Sequence, residues 1–118
     1  MAGITIYQKP TCSTCRTVIK LVEESGQPFI AINYYEKTFS KSKLKGLLKK
    51  AGLKSSDIIR KKEDIYKRLN LAQSHFTDDE LLDILVKHPD LIQRPLVQKD
   101  DMVILARPPE TVKQLLMG

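Results

Sequence analysis

The pattern Cys12-x-x-Cys15, set between a strand-like run and a helical pattern, constrains this chain more than any other feature. Residues 3–7 alternate as a half-buried β-strand does, and residues 12–25 carry apolar side chains at helical spacing. Gly26 then stands where helices commonly end. A cysteine that follows a strand and opens a helix lies at the positive end of the helix dipole, which stabilises a thiolate. The sequence therefore predicts a reactive Cys12.

Cys12 and Cys15 are the only cysteines of the chain, and a structural or metal-binding role is the alternative to redox chemistry. Cys15 lies one turn beyond Cys12 on the same helix face, where it can act as a resolving thiol, and Arg16 adds positive charge nearby. A zinc site needs two further ligands, but His75 and His88 have no second C-x-x-C and no finger-like spacing. The pattern therefore favours redox or nucleophilic chemistry and predicts no metal.

The length and composition predict one soluble domain that spans residues 1–118. The apolar stretches are far shorter than a membrane span, and no signal pattern is visible, so we expect a cytoplasmic location. Thiols are kept reduced there, so a C-x-x-C is more often catalytic than structural. The net charge of +6 is concentrated in residues 41–50 and 60–68, which predicts a solvated surface that attracts oxyanions or an acidic partner. Without interleaved aromatic residues, nucleic acid is disfavoured.

The remaining pattern predicts an α/β fold. Residues 29–32 form a second strand, which a single connecting helix makes parallel to the first. The middle of the chain, at about 40–92, is helical and includes a capping box at 77–80. Residues 94–106 predict a β-hairpin, and 108–116 a last helix opened by two prolines. The order β-α-β, helices, β-β-α predicts a thioredoxin-like mixed four-stranded sheet, with a helical insertion between its two halves.

Three arginines, Arg60, Arg94 and Arg107, stand at the ends of predicted elements and not within helices. Element ends commonly carry the ligand-binding residues of such a fold, and guanidinium groups bind tetrahedral oxyanions through paired, charge-assisted hydrogen bonds. From spacing alone, each arginine is equally consistent with an exposed or ion-paired side chain. Pro95 occupies the place where a thioredoxin-like fold carries a cis-proline beside the thiol, and a trans, structural Pro95 is the alternative.

Three separated segments share their motifs with one known family. Residues 4–7, Ile-Thr-Ile-Tyr, are followed by the pattern P-x-C-x-T-x-R over 10–16. Residues 76–95 begin with Phe-Thr-Asp-Asp, pass through His-Pro and end with Arg-Pro, and residues 106–110 are Ala-Arg-Pro-Pro-Glu. Over nearly its whole length the chain thereby resembles the ArsC family of thioredoxin-fold proteins, most closely the glutaredoxin-coupled arsenate reductases.

The resemblance implies a two-electron reduction of arsenate to arsenite. In that reaction Cys12 is the nucleophile, and Arg60, Arg94 and Arg107 bind the oxyanion. No cofactor is bound in this expectation, since electrons come from glutathione and glutaredoxin. Alternatively, Cys15 resolves the Cys12 adduct internally and leaves a disulfide for thioredoxin or glutaredoxin to reduce.

Two positions depart from the pattern of the arsenate reductases. Gln8 and Lys9 replace a usual His-Asn pair, and Cys15 replaces a usual serine. The C-x-x-C is instead similar to that of Spx, a thiol-switch transcription regulator of the same fold family that binds RNA polymerase. A redox-switched regulator is therefore the alternative function, and a general disulfide oxidoreductase is a third. The retained Arg107 and its Arg-Pro-Pro-Glu motif favour oxyanion chemistry.

Overall fold

A computed structural model of the chain describes residues 3–73 and 75–117. It divides into two compact units. The first is formed from the segments Met1–Lys37 and Arg94–Gly118, and the second is Thr38–Gln93. Across the described residues, no helix combines the length and the apolar composition that crossing a bilayer requires.

The first unit contains one mixed sheet of four strands, as predicted. The strands are β1 (Ile4–Gln8), β2 (Phe29–Asn33), β3 (Leu96–Lys99) and β4 (Met102–Leu105). Their order is β2-β1-β3-β4, with β1 parallel to β2 and antiparallel to β3, and with β3 and β4 paired as an antiparallel hairpin. The fold is therefore the thioredoxin-like α/β arrangement that the element order predicts.

Helix α1 (Ser13–Ser25) connects β1 to β2 and begins directly after Cys12. It ends at Gly26, whose φ of +75° is a left-handed conformation that glycine adopts without a steric penalty from Cβ. One face of α1 is buried through Val18 and Val22, and this face forms the core with the sheet and the C-terminal residues. The core cluster consists of Ile4, Ile6, Val18, Val22, Val97, Ala106, Val112 and Leu115.

The second unit is helical and contains the segment predicted as an insertion at about 40–92. Its helices are α2 (Lys41–Ala51), α3 (Asp64–Arg68) and α4 (Asp78–Lys87), with 3-10 turns at Ser55–Ile58 and Pro89–Leu91. That residues 1–118 fold as a single domain stays a prediction.

The predicted capping box opens helix α4. Thr77 Oγ1 accepts a hydrogen bond from the Glu80 backbone N–H at 3.2 Å, and Glu80 Oε1 accepts one from the Thr77 N–H at 3.0 Å. Each side chain thereby satisfies a backbone donor that the start of a helix would otherwise leave unpaired.

The C-terminal helix differs from the prediction in its first turn. Pro109–Val112 form a 3-10 turn, and only Lys113–Leu116 form α-helix, here α5. Pro108 and Pro109 have no N–H to donate, and the Thr111 N–H bonds the Pro108 carbonyl oxygen three residues back at 3.0 Å. This i→i−3 bond tightens the first turn relative to an α-helix.

Candidate active site

The C-terminal ends of β1, β2 and β4 and the N-terminal end of β3 lie at the same edge of the sheet. The last residue of β1, Gln8, pairs with Asn33 at the end of β2. The first residue of β3, Leu96, pairs with Tyr7 of β1 and with Leu105 at the end of β4. Residues that follow β1, β2 and β4, and those that precede β3, therefore lie at this edge.

Cys12 lies in the loop between β1 and α1 and is the N-cap residue of α1. Its backbone N–H donates to the Lys9 carbonyl oxygen at 3.0 Å, which closes the loop. Its Sγ accepts a hydrogen bond from the Cys15 backbone N–H at 3.4 Å. The side chain is partly exposed, so a small reagent or substrate can reach the sulfur.

The surroundings of Cys12 favour its thiolate. Partial burial opposes ionisation, but the hydrogen bond from the Cys15 backbone N–H, the neighbouring Cys15 thiol and the Arg94 side chain with its positive charge lower the pKa of Cys12 below its ordinary value. The predicted nucleophile therefore carries a larger thiolate fraction at neutral pH than an ordinary cysteine does.

Cys15 has the opposite character. Its side chain is 0% exposed and its thiol is free. Burial raises the pKa of Cys15 to about 12, because the hydrogen bond from the Lys9 backbone N–H is too weak to offset it and the neighbouring Cys12 sulfur raises it further. Cys15 is therefore a buried, protonated thiol beside the Cys12 sulfur.

Arg94 is a buried cation that is held by neutral groups. The residue is 6% exposed, and its Nη1 donates to the hydroxyl oxygens of Tyr34 at 3.1 Å and Tyr35 at 3.3 Å. Burial disfavours the charge, but the bond to Tyr34 and the electrostatic influence of Tyr34, Tyr35 and Cys12 hold the pKa of Arg94 above its usual range. Among the described residues, no carboxylate forms an ion pair with Arg94, and its buried Nε has no hydrogen-bond partner.

Arg107 and Pro95 also lie at this edge of the sheet. The Arg107 Nη1 donates to the main-chain carbonyl oxygen of Arg94 at 2.9 Å, and the Arg107 side chain is otherwise exposed. Pro95 is buried directly before β3, and the peptide bond between Arg94 and Pro95 is cis. One hydrogen bond thus links Cys15 to Cys12, Arg94 acts electrostatically on Cys12, and a further hydrogen bond links Arg107 to the main chain of Arg94.

Arg60 belongs to the second unit, and its hydrogen-bond and ion-pair partners lie in the same unit. Its Nη1 donates to Gln93 Oε1 at 3.4 Å, and its Nε lies 3.9 Å from Glu63 Oε1. The Arg60 backbone N–H donates to the Leu91 carbonyl oxygen at 2.7 Å, beside an isolated bridge between Ile59 and Ile92. These contacts hold the Arg60 main chain firmly within its unit.

Tyr34 and Tyr35 are site residues that the sequence patterns do not reveal. Two adjacent tyrosines at the end of a strand are typical of a core or its rim, and Tyr34 is indeed 1% exposed. Their hydroxyl groups nevertheless bond Arg94, a residue far away in sequence. The one signal in the sequence is their position, directly after the strand that is parallel to β1.

Metal-ligand chemistry is absent from the part of the chain that the structure describes. Within residues 3–73 and 75–117, no group of three or more His, Cys, Asp or Glu side chains could hold a metal ion.

The comparison with known proteins agrees with the geometry. The model of the ArsC family matches residues 7–115. The chain belongs to the ArsC family. A relative from Escherichia coli named arsenate reductase is 37% identical over 116 residues, which cover 98% of this chain and 82% of the relative. A relative of the same name from Haemophilus influenzae is 36% identical and is covered over 99% of its length.

A solved structure of this family has the same fold. The arsenate reductase from Vibrio cholerae superposes with a TM-score of 0.90 at 37% identity, and the match covers 96% of this chain and 97% of that one. The family that the three motifs predict is thereby confirmed, together with the thioredoxin-like fold.

Proposed function

We propose that this chain is an enzyme that reduces arsenate to arsenite with thiols as the source of electrons. The observation that carries the proposal is the Cys12 sulfur at the start of α1, which accepts a hydrogen bond from the Cys15 N–H and whose pKa the buried cation Arg94 helps to lower. The two relatives and the solved structure described above are named arsenate reductases, and each match spans nearly the whole of this chain.

The first step forms a covalent bond between Cys12 and arsenic. The thiolate attacks arsenic(V), and one arsenate oxygen leaves as water after it takes a proton. The sulfur–arsenic bond is formed at this stage, and arsenic is not yet reduced. An anionic nucleophile and an anionic substrate repel each other, so this step needs fixed positive charge at the site.

Arg94, Arg107 and Arg60 supply that charge in our proposal. Arg94 stays charged although it is buried, and no carboxylate among the described residues neutralises it. Arg107 is exposed beside it, with one Nη atom bonded to the Arg94 main chain. Arg60 is included because the resemblance to the ArsC family implies this role. Guanidinium groups bind such oxyanions through two parallel, charge-assisted hydrogen bonds.

The second step transfers two electrons to arsenic. A second thiolate attacks the Cys12 sulfur, and a disulfide forms. The electron pair of the sulfur–arsenic bond moves to arsenic, which leaves as arsenite. Cys15 or an external thiol performs this attack. The position of Cys15 favours the internal route, whereas its complete burial and high pKa favour an external thiol such as glutathione.

Glutathione with glutaredoxin, or thioredoxin, regenerates the enzyme in this proposal. Both are cytoplasmic reducing systems, so the proposal implies a cytoplasmic location. It needs no bound cofactor.

The test is arsenate-dependent oxidation of NADPH, measured in two coupled systems. One contains glutathione, glutaredoxin and glutathione reductase, and the other contains thioredoxin and thioredoxin reductase. Cys12→Ser is the matched blank, because it replaces only the sulfur. We expect turnover that is lost in Cys12→Ser, and turnover that equals the blank in both systems would overturn the proposal.

The role of Cys15 is tested in the same assay with Cys15→Ser. If Cys15 resolves the adduct, this variant loses thioredoxin-coupled turnover and keeps some glutathione-coupled turnover. Wild-type rates with both donors would assign the second attack to an external thiol alone.

The arginines are tested by single replacement with alanine. Loss of one positioned donor to a developing oxyanion typically lowers turnover about 10²- to 10³-fold, and we expect a loss of this order in kcat/KM for arsenate in Arg94→Ala. We expect smaller losses in Arg60→Ala and Arg107→Ala. Unchanged kinetics in Arg94→Ala would contradict the oxyanion site.

A redox-switched regulator is the second candidate, because a partly exposed Cys12 and a buried Cys15 also suit a thiol sensor. It predicts no arsenate turnover in either system, a Cys12–Cys15 disulfide under oxidant, and disulfide-dependent binding to RNA polymerase.

A further inference from the structure

Two tyrosine hydroxyl groups fix the orientation of the Arg94 side chain. Both accept from the same nitrogen, Nη1, at 3.1 Å for Tyr34 and 3.3 Å for Tyr35. The Tyr35 ring also lies under the guanidinium, with its centroid 6.0 Å from Cζ. Arg94 is therefore held at one nitrogen and against one ring face, and its charge lowers the pKa of Cys12.

The tyrosines are themselves attached to the strands that carry the site. The Tyr34 backbone N–H donates to the Gln8 carbonyl oxygen at 3.3 Å, at the end of β1. The Tyr35 backbone N–H donates to Asn33 Oδ1 at 3.0 Å, which forms an Asx turn at the end of β2. The two rings contact each other with centroids 5.1 Å apart. The turn after β2 is thereby fixed to the strand that leads into the Cys12 loop.

The hydroxyl groups of Tyr34 and Tyr35 are neutral, and this affects the charge of Arg94 as much as their position affects its orientation. A carboxylate could orient an arginine equally well, but it would also neutralise much of the guanidinium charge. A neutral hydroxyl accepts a hydrogen bond and leaves the positive charge in place. The site thus keeps a buried, oriented cation whose charge is directed to the sulfur.

We infer that Tyr34 and Tyr35 are positioning residues that hold Arg94 against the Cys12 sulfur and, during turnover, against the oxyanion. The part concerning the oxyanion rests on the proposed function, whereas the part concerning Cys12 does not. The charged and titratable groups that face this arrangement include Arg94, Cys12 and Cys15, the Arg107 guanidinium on the Arg94 carbonyl oxygen, and Lys9, whose Nζ lies 4.6 Å from the Tyr35 ring centroid.

The test removes one hydroxyl at a time with Tyr34→Phe and Tyr35→Phe and measures how fast iodoacetamide alkylates Cys12 as a function of pH. Mass spectrometry assigns the modified cysteine. We expect the profile to move to higher pH in each variant, with a rate at pH 6 that is about three- to tenfold lower than in the wild type. In arsenate turnover we expect a higher KM with a smaller change in kcat.

Tyr66→Phe is the matched control. Tyr66 lies in α3 of the second unit, and its hydroxyl makes no hydrogen bond with any described residue. It should leave the alkylation profile unchanged. Tyr35 is only half-buried, so Tyr35→Phe keeps the test valid if loss of the buried Tyr34 hydroxyl disturbs folding.

The outcomes separate this inference from the proposed function. Wild-type profiles in both folded tyrosine variants would overturn the inference, whether or not arsenate is turned over. A shifted profile in a protein that does not reduce arsenate would support the inference for Cys12 and overturn the proposed function instead.

Discussion

Cys12 and Cys15 are only three residues apart, yet their thiols have opposite acidity. Cys12 is the N-cap residue, receives a hydrogen bond from the first turn of α1 and is stabilised as a thiolate by Arg94, whereas Cys15 points into the core, where no charge can be hydrated. Desolvation raises the pKa of both thiols, and only Cys12 has enough donors around it to reverse the effect. The two thiols therefore differ in pKa because Cys12 lies at the N-terminus of α1, whereas Cys15 lies one turn further along and is buried in the core.

This asymmetry predicts that iodoacetamide modifies one thiol in the native protein. The thiolate is the reacting form, and its fraction rises with pH through the pKa. Because the pKa of Cys12 is lowered, we expect its alkylation to reach a plateau at lower pH than that of a cysteine in the unfolded chain. Cys15 should stay unmodified at neutral pH, because it is buried and its pKa is about 12. Peptide mapping by mass spectrometry measures both.

The control for this prediction is the same reaction in concentrated urea, where both cysteines should react at similar rates. Modification of Cys15 in the native protein at a rate comparable to Cys12 would show that the burial and the high pKa of Cys15 are wrong.

At the scale of secondary structure, we expect the replacement of glycine by alanine to change the free energy of unfolding in opposite directions at two positions. Gly26 ends α1 with φ of +75°, and Gly46 lies inside α2. An added Cβ meets no atom within 4 Å at either site, so the backbone conformation decides the result. We expect Gly26→Ala to lower the free energy of unfolding by about 1 kcal/mol, and Gly46→Ala to raise it by about 0.5–1 kcal/mol.

Urea unfolding followed by circular dichroism measures both values, and each variant serves as the control of the other. A change of the same sign in the two variants would contradict the left-handed conformation of Gly26 or the helical conformation of Gly46.

The elements follow from the sequence where the signal is local. The glycine at the end of α1 and the capping box before α4 depend on residues within one or two turns, and the structure confirms both. The motifs also identify the family, and with it the mixed sheet. The bonds from Arg94 to Tyr34 and Tyr35 could not be predicted, because they join segments that are distant in sequence and arise only when β1 pairs with β2 and β3. The burial of Cys15 could not be predicted from the sequence for the same reason.

At the scale of the whole molecule, charge should control the access of anions to Cys12. The chain has a net charge of +6 at pH 7, and such a field concentrates anions near the surface at low ionic strength. We expect the alkylation rate with the anion iodoacetate to fall several-fold as NaCl rises from about 0.02 to 0.5 M, because screening shortens the range of the field. The rate with neutral iodoacetamide is the control and should change little. Equal salt dependence for the two reagents would contradict this prediction.

The first unit can form its site only when its two chain segments have come together. Cys12 follows β1 and Arg94 precedes β3, and the antiparallel pairing of these strands brings their adjoining ends to one edge. The segment Thr38–Gln93 separates them in sequence. The part of the lowered pKa of Cys12 that comes from Arg94 therefore depends on the folded first unit, whereas the part that comes from Cys15 arises within the C-x-x-C motif.

The stabilisation of the Cys12 thiolate by Arg94 also has an electrochemical consequence. A disulfide between Cys12 and Cys15 would remove the thiolate that Arg94 stabilises, and the guanidinium would remain buried without its anion. Every interaction that lowers the pKa of Cys12 therefore stabilises the dithiol relative to the disulfide. One pKa unit corresponds to about 1.4 kcal/mol, or about 30 mV for a two-electron couple. At a pH where Cys12 of the dithiol is ionised, the tyrosine-anchored arginine therefore favours reduction of the disulfide by an external reductant.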